Sequence, residues 1–175
     1  MADIFLGMGS NQGDKIENIR KAFDILRSLE NFKIVSWSSL YETEPVGVID
    51  QPVFVNCVIR AESSMDPHSL LSWLKTIESR LGREPNTHNR PRPIDLDILL
   101  YDNIDMESLE LTIPHTRLNS RRFALEPLLE IEPSAIDPVS TRPLREFLAD
   151  VESQKLIKLI DYKEAFNVTR RTSEG

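Results

Sequence analysis

The spacing of apolar residues along the first hundred positions alternates between the strand period of two and the helix period of 3.6. Residues 3 to 8 read as a short strand running into Gly7-Met8-Gly9-Ser10-Asn11, whose glycines and asparagine predict a tight turn. Asp14, with Glu17 three residues on, predicts a capped helix start, and Ile16, Ile19, Phe23, Leu26 and Leu29 or Glu30 continue it as a stripe at helical spacing. Residues 33 to 42 and 53 to 61 are β-rich runs joined through Glu44-Pro45-Val46-Gly47 and Asp50-Gln51-Pro52, and they are expected to pair as antiparallel neighbours. Asp66-Pro67 opens a second helix. Leu70, Leu71, Leu74, Ile77 and Leu81 line its buried face and Gly82 ends it.

Residues 83 to 93 hold three prolines and no periodicity, which predicts an exposed loop of the kind that carries function. A strand follows over Ile94 to Tyr101. The order is then β-α-β-β-α-β, the ferredoxin-like pattern of an α+β fold. A hairpin near 104 to 113 and helices near 122 to 130 and 142 to 150, the last started by Pro143, are expected additions. Residues from about 169 read as a polar tail without a role.

Composition narrows the class. A chain of 175 residues, 40% hydrophobic and 28% charged, reads as a single domain over 1–175, and no apolar run approaches the roughly 20 residues of a membrane span. The N-terminus lacks the basic and apolar regions of a signal peptide, and the lone Cys57 has no internal disulfide partner, so a cytoplasmic protein is expected, and separately a monomer. A net charge of -7 argues against nucleic-acid binding. The cations are nevertheless unevenly placed. Seven of fourteen arginines fall between positions 80 and 122, and no lysine lies between Lys75 and Lys155. Guanidinium offers a planar fork of donors that fits phosphate oxygens two at a time, which ammonium does not.

The sharpest chemical signal is Asp95-Leu96-Asp97. On a strand, alternation sends both carboxylates to one face, about 6.6 Å apart at the backbone, while Leu96 and Ile98 face the core. Such a pair repels unless water screens it or a hard divalent cation joins it to phosphate oxygens. Solvent at a strand edge would be the bland explanation, but Arg90-Pro91-Arg92-Pro93 immediately before it supplies phosphate-binding groups. Gly7-Met8-Gly9 is not a dinucleotide fingerprint, because the third glycine falls at Gly13, and no phosphate-binding P-loop motif occurs. Pro114-His115 with Arg117, Arg121 and Arg122 forms another basic cluster. Asn56 shares a strand face with Phe54 and Val58, where a buried amide needs either a backbone partner or the edge of a heterocycle.

In order and spacing these residues resemble the hydroxymethyldihydropterin pyrophosphokinases from Gly9-Ser10-Asn11 to about Leu148. The landmarks are Ser39 to Gly47, Asp50-Gln51-Pro52, Phe54-Val55-Asn56, Gly82-Arg83, Pro91 to Ile98, and Pro114-His115 with Arg121 and Phe123. The resemblance implies transfer of the diphosphate of ATP to the hydroxymethyl oxygen of 6-hydroxymethyl-7,8-dihydropterin in folate biosynthesis, with release of AMP. Asp95 and Asp97 would hold two Mg²⁺ ions, and Arg83, Arg92, His115 and Arg121 would contact phosphates. Thr43, Pro45, Val46 and Asn56 would read the pterin edge between Phe54 and Phe123. Leu71, Lys75, Glu78, Ile98 and Thr112 would form the adenosine side. Asn89 and Arg90 depart from the tryptophan and small residue that members often carry there, and the stretch beyond about Glu152 is longer than the family suggests. The competing reading is a ferredoxin-like ligand-binding module without catalysis. An RNA-recognition form of it would need sheet aromatics beside a basic surface, which an acidic chain with few strand aromatics lacks.

Overall fold

Alternating short-period and helical-period segments fold as their spacing demands in the computed structural model, which describes residues 1–45, 50–87 and 90–166. Val46 and Asn89, like the tail from about 169, lie outside the described residues. Strands β1 (Ala2–Ser10), β2 (Phe32–Trp37), β3 (Leu40–Thr43), β4 (Phe54–Ser63) and β5 (Asp95–Tyr101) form an antiparallel sheet with α1 (Lys15–Ser28) and α2 (Pro67–Arg80). The sheet order β5-β1-β4-β3, with β2 also on β4, is the ferredoxin-like order in which the second strand is split in two. Both helices start as the caps predict. Asp14 accepts the Glu17 N–H at 3.2 Å and Asp66 the Ser69 N–H at 3.0 Å. Gly82, with φ of +92°, supplies the left-handed residue that ends α2.

The two faces of the sheet have different fates. Ile4, Leu6, Met8, Cys57, Ile59, Leu96 and Ile98 pack against Ile19, Phe23, Leu26, Leu70, Leu74 and Ile77 of α1 and α2. On the other face Phe5, Val58, Leu99 and Leu100 meet Leu125 and Leu128 of α3 (Arg122–Ile131) and Leu144 of a 3-10 segment, Leu144–Val151. That cover spans only one end of the sheet. At the other end, Gly7, Gly9, Phe54, Asn56, Asp95 and Asp97 are left facing a cleft. The predicted hairpin is present as β6 (Met106–Glu107) and β7 (Thr112–Ile113), and its apolar residues Ile104, Met106 and Leu111 join the first core.

Several details depart from the sequence expectations. Gly7-Met8-Gly9 does not turn the chain: β1 runs through Ser10, because Gly7 and Gly9 pair with Asp97 and Asp95 on one side and Val58 and Asn56 on the other. The 33–42 run breaks at Ser38 and Ser39, where the Ser39 N–H and hydroxyl both donate to Glu130 of α3, at 3.0 and 2.6 Å. Tyr41 donates to the other Glu130 oxygen. Residues 144–151 form 3-10 turns rather than an α-helix. The stretch beyond Glu152 is structured: β8 (Leu156–Ile160) pairs antiparallel with β3, and the short α4 (Tyr162–Ala165) delivers Phe166 to a stacked contact with Phe23 at 3.9 Å between ring centres.

Candidate active site

The cleft has a volume of about 330 Å³, and its floor is the uncovered end of β1, β4 and β5. Strand alternation places Asp95 and Asp97 on that floor, partly exposed, while Leu96 between them is buried. The two acids are then treated differently. Asp95 accepts Arg83 Nη1 at 2.9 Å on one oxygen and Arg92 Nη2 at 3.0 Å on the other. Burial opposes its ionisation, but these two guanidiniums outweigh it and hold the carboxyl below its ordinary value. Asp97 has no hydrogen-bond partner among the described residues. Its carboxyl is pushed up to about 7, first by burial and then by the charges of Asp95 and Glu78, with Arg121 and Lys75 opposing.

That difference has a consequence for the ligand-free protein. Folded Asp97 holds its proton up to about pH 7, whereas the unfolded group releases it near its ordinary 3.8. The native state therefore binds more protons between these values, and stability contributed by Asp97 is full below about pH 4 and lost as pH rises towards 7. Asp97→Asn should remove this slope. Thermal melts without divalent cation should show the variant gaining on the wild type from pH 4 to 7.5, and a constant gap across that range would refute the assignment.

Glu78, expected on the adenosine side, is only 3% exposed. It accepts the Leu96 N–H at 2.9 Å and pairs with Arg83 Nη1 at 3.0 Å, so it fixes both the acidic strand and the arginine from behind. Arg83 is held further by donating to Thr87. Arg92 sits on a stem anchored through both of its own backbone polar groups. Its N–H donates to Asn11 Oδ1 at 2.9 Å and its carbonyl accepts the Asn11 N–H at 3.2 Å. The Asn11 amide in turn donates to Gln51 and to the Pro52 carbonyl. One fully buried asparagine thus joins the loops on the two sides of the cleft.

His115 and Arg121 come from the segment between β7 and α3. His115 Nδ1 accepts the Arg117 N–H at 3.1 Å, leaving the ring proton on Nε2, and burial followed by Arg121 lowers its affinity for a second proton. Arg121 and Arg92 each keep a buried Nε without a partner among the described residues. An unpaired buried donor is costly, so these nitrogens call for an acceptor from a ligand. Arg92 also lies over the Phe54 ring at 5.0 Å and Arg121 over Phe123 at 5.3 Å.

On β4, two residues from Phe54, Asn56 Nδ2 donates to Thr43 Oγ1 at 2.7 Å. A β-carbon on Gly9 would lie 2.5 Å from Asn56 Oδ1, so the amide occupies space that only glycine leaves open. Thr43 itself is 3% exposed and stands behind Asn56 rather than on the cleft.

The cleft brings together Pro45, Phe54, Asn56, Lys75, Arg83, Arg92, Asp95, Asp97, His115, Arg121 and Phe123 of the expected residues. Thr43, Leu71, Glu78, Ile98 and Thr112 do not line it. For Ile98 the reason is alternation, which sends its side chain to the opposite face from Asp97. Sequence reasoning missed Gly9 and Asn11 as site-building residues. The signal was present in the run Gly9-Ser10-Asn11, but its meaning depends on strands and loops distant in sequence.

The cleft thus gathers two carboxylates and several arginines with two phenylalanines and an amide on a floor of β-sheet. Residues 5–133 match the 7,8-dihydro-6-hydroxymethylpterin-pyrophosphokinase (HPPK) family. The chain is 42% identical over 147 residues to the 2-amino-4-hydroxy-6-hydroxymethyldihydropteridine pyrophosphokinase of Aquifex aeolicus, covering 84% of this chain and 91% of that protein. It is 42% identical over 165 residues to the folic acid synthesis protein fol1 of Schizosaccharomyces pombe, covering 93% of this chain but only 22% of that much longer protein. A crystal structure of HPPK-DHPS in complex with substrates superposes with a TM-score of 0.70 at 16% identity over 87% of this chain and 44% of that one, a likeness of fold. No helix among the described residues is long and apolar enough to cross a membrane. With its sheet order, its cleft and this extent of match in agreement, the chain belongs to the 7,8-dihydro-6-hydroxymethylpterin-pyrophosphokinase family.

Proposed function

We propose that this chain transfers the diphosphate of ATP to the hydroxymethyl oxygen of 6-hydroxymethyl-7,8-dihydropterin, releasing AMP, as a step of folate synthesis. The observation that carries the reading is a single cleft that gathers two carboxylates and several arginines together with two phenylalanines and the Asn56 amide. A flat, hydrogen-bonding heterocycle suits Phe54, Phe123 and Asn56, and a polyphosphate suits Arg83, Arg92, Arg121 and the Nε2–H of His115.

Asp95 and Asp97 fit divalent cations, since Asp97 lacks a hydrogen-bond partner among the described residues and its carboxyl is raised by burial and by its neighbouring acids. No cluster of three or more metal-binding side chains occurs among the described residues, so phosphate oxygens would complete the coordination. Two Mg²⁺ ions held there would neutralise charge on the transferred group.

The chain's own residues position and stabilise. The slot holds the pterin so that its hydroxymethyl oxygen faces the β-phosphorus. The new O–P bond forms as the bond from that phosphorus to the α,β-bridging oxygen breaks; AMP leaves with that oxygen and the hydroxyl proton passes to solvent. The arginine donors stabilise charge on the equatorial oxygens, and the unpaired Nε atoms of Arg92 and Arg121 gain acceptors. Purified protein with Mg²⁺, ATP and the pterin should form AMP in equal amount to pterin diphosphate. AMP formation independent of pterin, or pterin binding without turnover, would overturn the reading.

The Gly9 geometry adds a sharper check. Gly9→Ala should weaken pterin binding about tenfold or more by displacing the Asn56 amide, with little change for an ATP analogue. Asn56→Ala should act on the same ligand, and the double variant should lose little beyond the larger single effect because both changes remove one interaction. Calorimetric titration measures each; additive losses would place Gly9 and Asn56 in separate roles.

A further inference from the structure

The segment beyond Glu152 has no place in the reading above, yet it touches both walls of the aromatic slot. Helix α3 begins at Arg122, directly between the site residues Arg121 and Phe123. Its N-cap position is Arg121, which makes no side-chain cap. The first N–H groups of a helix have no intrahelical acceptor, and an uncapped first turn frays. Here the cap comes from 32 residues downstream. Gln154 Oε1 accepts the Arg122 N–H at 2.9 Å, and Gln154 Nε2 donates to the Ser120 carbonyl at 2.8 Å. The Arg122 guanidinium returns the contact by donating to the Gln154 carbonyl at 2.8 Å and the Glu152 carbonyl at 3.3 Å.

Two residues later the same segment becomes β8, whose Leu156 pairs with Thr43 at the end of β3. Thr43 is the residue that holds the Asn56 amide. Lys155, between the two attachments, reaches Glu44 at 3.4 Å. The stretch 154–156 therefore ties the start of α3, with Arg121 and Phe123, to the end of β3, with Thr43 and Pro45. A small recess between these two ends is lined by Thr43, Pro45, Phe123 and Gln154.

We infer that Gln154 is a positioning residue for the pterin site: residues 152–160 form a strap that sets the separation of the Phe123 and Asn56 walls, with Gln154 as the remote cap of α3. The strap is attached beyond Glu152 to α1 and β2 as well, through Trp37 Nε1 donating to the Tyr162 carbonyl at 2.8 Å and Phe166 on Phe23. This anchoring keeps it in place without a ligand. The inference rests on the pterin reading of the slot. A mere structural role would lower stability and leave ligand preference alone; a positioning role separates the two ligands.

Deleting the segment would uncover Phe23, so the point variant Gln154→Ala is the informative one. Wild-type and variant proteins are titrated with a non-hydrolysable ATP analogue and Mg²⁺, then with 6-hydroxymethyl-7,8-dihydropterin on the analogue complex. Loss of a cap of ordinary strength leaves the first turn of α3 ordered in only a fraction of molecules, so Kd for pterin should rise about five- to tenfold in Gln154→Ala. The analogue Kd should change by less than about twofold. Gln154→Glu keeps the acceptor for the Arg122 N–H but loses the donor to the Ser120 carbonyl, so it should recover part of the pterin affinity, and Lys158→Ala, an exposed change on β8, should alter neither constant. A lower melting temperature with unchanged pterin Kd, or equal losses for both ligands, overturns the strap. A wild-type protein that binds the analogue and not the pterin overturns the pterin reading and the strap with it.

Discussion

Replacing Asp97 with alanine is expected to lower kcat by about 10³-fold or more while leaving the fold at least as stable as in the wild type. Most losses of a partly buried side chain cost stability through a cavity or an abandoned partner. Asp97 has neither liability: it lies on the cleft floor, makes no hydrogen bond to the described residues, and is raised to about 7 by burial and by Asp95 and Glu78. Removing it relieves repulsion. What is lost is the only carboxylate in the cleft's acidic pair not committed to two arginines. Single-turnover rates at saturating ATP and pterin, with Mg²⁺ titrated far above its working range, measure the effect, and melting curves at pH 7.5 measure the stability. Near wild-type turnover at high Mg²⁺ would end the metal assignment for this residue.

Arg92→Ala should lower kcat by about 10²-fold or more with a smaller change in pterin affinity. The guanidinium is fixed on three sides, by Asp95 Oδ2 at 3.0 Å, by the Arg90 carbonyl at 3.0 Å and by the Phe54 ring, while its Nε has no partner among the described residues. A preorganised donor of this kind costs no reorganisation when charge develops on phosphoryl oxygens. Arg92→Lys should not restore the rate, because a single ammonium cannot hold Asp95 and also present a second, directed donor. Phe54 keeps its backbone position on β4, so stacking on the pterin should be weakened only by the lost cation over the ring, a few-fold effect. Steady-state kinetics separate the outcomes: a loss confined to KM would make Arg92 a binding residue for ATP alone.

The loop that carries Arg92 reads as unanchored in sequence, since residues 83 to 93 have no apolar period. Its stem is in fact held by Asn11, whose side-chain Oδ1 accepts the Arg92 N–H and whose backbone N–H donates to the Arg92 carbonyl. The anchor is polar and non-local, 81 residues away in sequence, and hydrophobic periodicity carries no trace of it.

Local chemistry decided much of this protein. The aspartate caps at Asp14 and Asp66, the left-handed Gly82 and the helical stripes depend on residues within a turn or two of one another, and they place α1 and α2 without reference to the rest. Alternation along β5 likewise put Asp95 and Asp97 on one face and Leu96 on the other, because a strand's period is a property of its own backbone. Tertiary structure decided what those residues mean. Gly9 is indispensable through Asn56 on a neighbouring strand, Glu78 is withdrawn from the cleft by Leu96 and Arg83, and α3 takes its cap from Gln154 after a chain of turns. Each of these is a polar or steric fit between segments far apart in sequence. Such a fit leaves no repeating pattern along the chain, since one donor and one acceptor satisfy it and their neighbours are free to vary.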